Sequence, residues 1–368
     1  MKEPAGLLLV NLGTPDAPRP REVRRYLREF LSDPRVLDLP RALRFLLLEL
    51  VILPRRPRVS AAAYRKIWTS EGSPLLVHGR ALAAKVQALF GDDVRVELAM
   101  RYGEPSIAGA LDRFAAAGVS RLVVFPLYPQ YSSAATGSSI ERVQRLASAR
   151  WNTPFLQVVP PFYDYAAYVE ARAEVARPYL DAAPERVFFS FHGLPERQIR
   201  KSDPTGRHCL ASPGCCDSVG ADNRYCYRAQ CHAAARLLAD RLGVPEEKRI
   251  VCFQSRLGRS PWISPATEEV LAAEARKGVR HAVIVPSFVT DCLETLEELA
   301  IRGVEIWRRN GGETLRVVPA LNASDRFAEA VVEIAVEHSS WIAALRPPVP
   351  AEPRAAGEPV RHVGTLAS

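Results

Sequence analysis

The 368-residue sequence has no apolar run long enough to cross a bilayer, so no membrane-spanning helix is expected. No charged leader with an apolar centre and a small-residue cleavage pattern precedes the first strand; "MKEPAG" runs straight into "LLLVNLG". The expectation is a cytoplasmic protein whose thiols stay reduced. The glycine-rich phosphate loops GxxxxGK[ST] and GxGxxG are both missing, which leaves a nucleotide cofactor without support. There is no helix-turn-helix, no RNA-binding signature and no basic tail. The net charge of +8 comes from arginines spread along the chain, so nucleic acid is not the expected partner. An anionic small substrate or an anionic membrane face suits that balance better. Cysteine is scarce except in one place. Five of the seven lie in "CLASPGCCDSVGADNRYCYRAQC", from Cys209 to Cys231, and none forms a CxxC pair. A reduced compartment disfavours disulfides there. A zinc site and an iron–sulfur cluster each need four thiolates, and the spacing alone does not choose between them.

What is present is alternation. "GLLLVNLG", "VRVELAMRYG", "RLVVFPLYP", "LQVVPPF", "RVFFSFHG", "RIVCFQS" and "HAVIVPSF" read as buried strands ending at Gly, Pro or Ser. Amphipathic stretches such as "SIAGALDRFAAAG" and "CHAAARLLADRLG" lie between several of them. This is the pattern of α/β folds with parallel sheets flanked by helices. Two echoes suggest duplication. "LGTP" at Leu12 and "HGLP" at His192 each follow an apolar strand. "GVSRLVVFPLY" from Gly118 resembles "GVRHAVIVPSF" from Gly278, 160 residues later. Two similar α/β domains would face each other with equivalent strand ends across a cleft, where ligands of such sheets bind. The residues just after those strands are then the site candidates: Asn11, Tyr128, Tyr131, Ser132, His192, and the stretch from Phe288 to Glu294.

His192 can accept a proton near neutral pH or bind a metal, or it can be a packed strand-end histidine. "FVTDCLETLEELAIRG" places Asp291, Glu294 and Glu298 at i, i+3 and i+7 of a helix. They are either a carboxylate relay for protons or a hard cation, or a solvated acidic face. "FPLYPQYSSAATGSS" suits a flat apolar ligand with polar edges, or a surface turn. "RALRFLLLELVILPRRPR" from Arg41 is a buried helix or an apolar lip with basic flanks resting on anionic lipid. The end, 347–368, is rich in Pro, Ala and Glu and is expected to be disordered.

Taken in order, "LLLVNLGTPDAP", "YRKIWTSEGSPL", "MRYGEPSI", "PLYPQYSSAATGSS", "FFSFHGLPER", "CFQSRLGRSPWISPATEEVL", "VPSFVTDCLETLEEL" and "PALNAS" resemble the successive signatures of ferrochelatases, from Leu7 to Ser324. The resemblance implies a lyase of heme biosynthesis that inserts Fe2+ into protoporphyrin IX without a nucleotide. It implies a chelatase fold of two Rossmann-like domains, 1–157 and 158–322, facing across a porphyrin cleft. A lip at about 41–53 and a C-terminal helix at 323–346 complete the division. The family's active-site histidine and glutamate match His192 and Glu294, the groups that would meet the Fe2+ substrate. Asp291 and Glu298 lie beside them on the expected proton and metal path. Arg101, Tyr102, Trp262 and Phe288 match positions lining the porphyrin pocket, and Leu12 can clamp the macrocycle. Some members carry His where this chain has Cys292, which puts a second histidine's role in proton removal in question. The first segment resembles the protoporphyrin-using branch more than the coproporphyrin-using one. Relative to the family's usual pattern, residues 204–226 form an insertion. Some bacterial members hold a [2Fe–2S] cluster, so the resemblance implies one here through Cys209, Cys215, Cys216 and Cys226, with Cys231 as rival ligand. The readings left standing against this are a sirohydrochlorin or coproporphyrin chelatase and a porphyrin or heme carrier without turnover.

Overall fold

The computed structural model describes residues 4–256, 258 and 260–345. The tail expected to be disordered, 347–368, lies outside the described residues.

Eight parallel strands form two sheets of identical layout. The first contains β1 (Ala5–Gly13), β2 (Val94–Tyr102), β3 (Arg121–Pro126) and β4 (Phe155–Val158), in the order β2-β1-β3-β4. The second contains β5 (Arg186–His192), β6 (Arg249–Gln254), β7 (His281–Pro286) and β8 (Thr314–Val317), in the order β6-β5-β7-β8. β3 begins at residue 121 and β7 at 281, which reproduces the 160-residue echo in the sequence. The match extends past the strands. Met100 N–H donates to Pro105 O after β2, and Phe253 N–H donates to Pro265 O after β6. The sequence reading omits β8, because "TLRV" is a four-residue edge strand with two exposed positions and no apolar run.

Both faces of each sheet are covered. In β1, Leu7 and Leu9 point into one core, while Leu8 and Val10 point into another. In β5, Val187, Phe189 and Phe191 face one core and Phe188 faces the opposite one. Side chains buried on both faces explain why these strands read as continuous apolar runs rather than alternations.

The two halves are not separate beads. The expected C-terminal helix is two pieces, Asp325–Glu337 and Ser340–Ala343. Phe327, Val331 and Ile334 of the first piece are buried in the same core as Leu7, Leu82 and Val86. The end of the chain thus packs onto the N-terminal sheet.

The segment expected to be a buried helix or an apolar lip is built from three helical pieces: Arg41–Leu46, a π-helix Leu47–Ile52, and Leu53–Ile67. Leu48 and Leu53 are buried, but Phe45 is 62% exposed and Leu50 67%, with Leu43, Leu46 and Val51 also exposed. The segment thus presents apolar side chains to solvent and is not a fully buried helix. Glu49 holds it down: Arg28 donates Nε and Nη2 to its two carboxylate oxygens, each at 2.7 Å.

Candidate active site

The strand ends of the two sheets meet. Asn11 Nδ2, from the end of β1, donates to Thr290 Oγ1 beyond β7 at 3.4 Å. Ser287 Oγ, just after β7, donates to Gln130 Oε1, just after β3, at 2.9 Å.

His192 closes β5 at this junction. A side chain at Gly193 would stand 2.9 Å from Gln254 O and 3.2 Å from the Trp262 ring, so the missing Cβ lets β6 and Trp262 close on the histidine. Nδ1 of His192 lies 2.6 Å from Gly193 O. A carbonyl only accepts, so Nδ1 carries the proton and Nε2 is the free basic nitrogen. Trp262 and Phe288 flank the ring, each with its centroid 6.5 Å away. The Trp262 indole N–H is buried and has no hydrogen-bond partner among the described residues.

The acidic stretch is a π-helix, Glu294–Gly303. Such helices are rare and recur at functional sites. Gln254 Nε2 donates to Glu294 O at 2.9 Å and to Glu298 Oε2 at 3.2 Å. Ser255, at φ +67°, donates its hydroxyl to the same Glu298 oxygen. Arg302 Nη2 stands 3.3 Å from the other one. Burial, and then the neighbouring charge of Glu294, push the Glu298 carboxyl above its ordinary range, although Ser255, His192 and Arg302 pull the other way.

The three acids do not line one face as an α-helical spacing predicts. Asp291 precedes the π-helix and is fully engaged. Its Oδ1 accepts from Thr295 Oγ1 at 2.8 Å and from Ala320 N–H at 3.1 Å, and its Oδ2 accepts from Asn322 Nδ2 at 2.7 Å. It joins the start of the acidic helix to the "PALNAS" segment.

The expected pocket residues divide similarly. Leu12, Tyr128, Tyr131, Trp262 and Phe288 are partly exposed at the strand ends. Tyr131 packs on Tyr225 of the cysteine-rich segment with centroids 5.3 Å apart. Tyr128 OH pairs with Ser139 Oγ at 3.3 Å. Ser132 is buried and caps the π-helix Ser133–Gly137, accepting from Ala135 N–H. Tyr102, by contrast, has no exposed surface. Its hydroxyl donates to Asp33 Oδ2 at 2.9 Å, and Arg101 Nη2 donates to the same oxygen at 2.5 Å. Burial alone would raise the Asp33 carboxyl, but Ser138, the Arg35 N–H, Tyr102 and Arg101 together hold it below the usual carboxylate range. Arg101 and Tyr102 are thus joined through Asp33, with Tyr102 fully buried and Arg101 partly exposed.

Tyr26, Tyr64, Gln254 and Ser255 escape the sequence reading. Tyr26 OH donates to Gly13 O at 3.1 Å. Burial pushes the hydroxyls of Tyr26 and Tyr64 up, and the charge of Glu294 adds to it in both. Their place beside an acid on a helix 230 or more residues later leaves no local signal. Gln254 and Ser255 end a strand, as His192 does, and that rule would have found them.

The cysteines converge. All five are buried and reduced. Cys226 is hydrogen-bonded to both Cys209 and Cys216. Cys215 Sγ and Cys216 Sγ are 3.8 Å apart. Thiolates held tetrahedrally at 2.3 Å from one metal stand about 3.8 Å from each other, so adjacency of Cys215 and Cys216 is no obstacle to shared ligation. Arg228 donates to Cys216 Sγ at 3.1 Å. Cys231 is instead bonded to the Tyr227 hydroxyl. Burial raises the Cys209 thiol; the bond to Cys226, and then burial, raise Cys216. These groups are thiols bonded to thiols. Among the described residues no group of three or more His, Cys, Asp or Glu side chains is placed to hold a metal ion. The contacts link the four buried thiols in a chain, Cys209 to Cys226 to Cys216 to Cys215, and a metal would have to displace their protons and draw the sulfurs together.

The architecture is two parallel four-stranded sheets whose strand ends meet, with His192 and the acidic π-helix at the junction. The same fold occurs in the sirohydrochlorin chelatase SirB from Bacillus subtilis subspecies spizizenii in complex with cobalt, at a TM-score of 0.51 and 13% identity over 91% of this chain and 95% of that one. A family model described as Ferrochelatase matches residues 4–339. The sequence is 48% identical over 330 residues to a ferrochelatase of Azotobacter vinelandii, covering 89% of this chain and 97% of that one. It is 46% identical over 327 residues to a ferrochelatase of Pseudomonas fluorescens, covering 88% and 95%. The chain belongs to the ferrochelatase family.

The raised Glu298 carboxyl has a measurable consequence. An ordinary glutamate titrates near 4.5, and Glu298 in the folded protein titrates above that. Within this window the folded state keeps a proton that the unfolded chain releases, so its contribution to stability is lost as pH rises. Urea unfolding from pH 4.5 upward should show a shallower fall for Glu298→Gln than for the parent. Equal slopes would mean that Glu298 is solvated and no buried acid exists.

Proposed function

We propose that the protein inserts Fe2+ into protoporphyrin IX, releasing two protons and giving protoheme. The observation that carries this reading is the pairing of a basic imidazole nitrogen, His192 Nε2, with two adjacent carboxylates, Glu294 and Glu298, between aromatic walls. A porphyrin must lose both pyrrole N–H protons as the dication enters. His192 Nε2 takes a proton at the ring face. Glu294 and Glu298 offer negative charge for the incoming iron and a route outward for protons. A carboxyl whose pKa is raised exchanges protons closer to neutral pH than an ordinary glutamate does. Leu12, Trp262 and Phe288 cover the macrocycle. A carrier has no protons to remove and no use for this acid–base pair. Anaerobic incubation with protoporphyrin and ferrous iron tests the reading directly. His192→Ala should lower turnover by about two to four orders of magnitude while porphyrin still binds. Near-normal turnover in that variant would take His192 out of the reaction.

The exposed apolar lip favours protoporphyrin over more carboxylated tetrapyrroles, and it rests on the anionic membrane face. Basic side chains flank it at Arg41, Arg44, Arg55, Arg56 and Arg58. Leu50→Ser combined with Phe45→Ser should weaken flotation with anionic vesicles and leave the far-ultraviolet spectrum unchanged. Undiminished flotation would place the membrane contact elsewhere.

The cysteine-rich insertion holds a [2Fe–2S] cluster through Cys209, Cys215, Cys216 and Cys226. Such a centre supplies one-electron redox chemistry. Metal insertion changes no oxidation state, so the site is structural or senses iron or redox state. Arg228 and the Cys226 contacts orient the sulfurs. Purified protein should be reddish-brown with equal iron and acid-labile sulfide. Cys226→Ser should bleach it, whereas Cys231→Ser keeps the full visible spectrum. Colourless protein with one stoichiometric zinc would overturn the cluster.

A further inference from the structure

Beside the junction of the strand ends, a small cavity lies between the helix Ala166–Leu180 and the second sheet. Tyr163, Tyr168, Phe189, Phe191 and Leu238 form much of its wall, and Gln130, Arg172 and Ser287 reach it from three elements. Arg172 is only 2% exposed and Gln130 only 5%. Arg172 Nη2 donates to Pro286 O, at the last residue of β7. Among the described residues its Nη1 is buried without a hydrogen-bond partner, and so is Gln130 Nε2. Gln130 Oε1 accepts from Ser287 Oγ at 2.9 Å, which leaves the amide nitrogen as the end without a partner.

The charge here is also uncompensated. A guanidinium stays protonated in proteins, and burying one without a counter-charge is costly. The acid whose field reaches Arg172 is Asp291, and its two oxygens are taken by Thr295, Ala320 and Asn322. Tyr168 cannot serve, because burial pushes its hydroxyl up to about 12. The space admits about one water-sized sphere. A water there could accept from both donors, but it would leave the positive charge alone. A monatomic anion satisfies the donors and the charge together.

We propose that this cavity binds one small monovalent anion of chloride's size, held by Arg172 Nη1 and Gln130 Nε2. The anion ties together the loops after β3 and β7. Those loops carry Tyr128, Tyr131 and Ser132 on one side and Phe288 and Glu294 on the other.

The test is thermal unfolding of the full chain in sodium chloride against sodium gluconate at constant ionic strength. Chloride should raise the Tm saturably, by about 3.5 °C when a hundredfold above its Kd. Arg172→Gln should abolish the chloride dependence. Should that variant fail to fold, Gln130→Leu, which keeps the arginine, should weaken it at least tenfold. Crystals grown in bromide should show an anomalous peak within hydrogen-bond reach of both nitrogens. The same Tm in both salts, an unchanged chloride dependence in Gln130→Leu, or a bromide-free cavity holding water would each overturn the proposal.

Discussion

One carboxamide holds the reactive groups in register. Gln254, the last residue of β6, accepts from Ser190 Oγ at 3.0 Å through Oε1, and Ser190 lies two residues before His192 on the same strand. Through Nε2 it donates to the Glu294 carbonyl and to the Glu298 carboxylate. The strand that ends in the base and the helix that carries the acids are thereby fixed to one planar group. Both its ends are used, and it is almost fully buried. In such surroundings each bond is stronger than in water and the loss of any partner is costly. The π-helix fits this arrangement, since its wider turn offers the Glu294 carbonyl and the Glu298 side chain to one donor.

The duplicated fold has been divided by chemistry. Leu12 ends the first sheet's central strand where His192 ends the second's, in the related "LGTP" and "HGLP". After β3 the short π-helix Ser133–Gly137 presents hydroxyl groups and small residues, and after β7 the longer one presents acids. One half presents apolar and hydroxyl groups at the junction. The other presents a histidine and acids. A ligand between them meets opposite demands on its two faces, and the bridging contacts Asn11–Thr290 and Gln130–Ser287 keep those faces opposed.

Much of this was legible in the sequence, for physical reasons. Strands covered on both faces must be apolar throughout, so seven of the eight stood out, and β8 did not because it lies at an edge with two positions in water. Strand ends in parallel sheets point at the cleft, which singles out His192 and the loops after β3 and β7. What failed was inference about side-chain direction. Arg101 and Tyr102 sit at the right strand end, but both are joined to Asp33, on a distant loop. Asp291 has the right spacing for an α-helix, but the chain winds otherwise and Asn322 claims it. Pairings between residues far apart in the chain leave no periodic trace, and Tyr26 and Tyr64 were missed for that reason.

The helix Asp325–Glu337 gives the order of synthesis a role. Its buried face completes the core that begins with β1, yet it leaves the ribosome 167 residues after β4 ends at Val158. At ordinary elongation rates the first half waits roughly 10 to 30 seconds with part of its apolar surface uncovered. During that interval the second half can finish its own sheet first. A chain laid down from the N-terminus is thus sealed at its N-terminal half last.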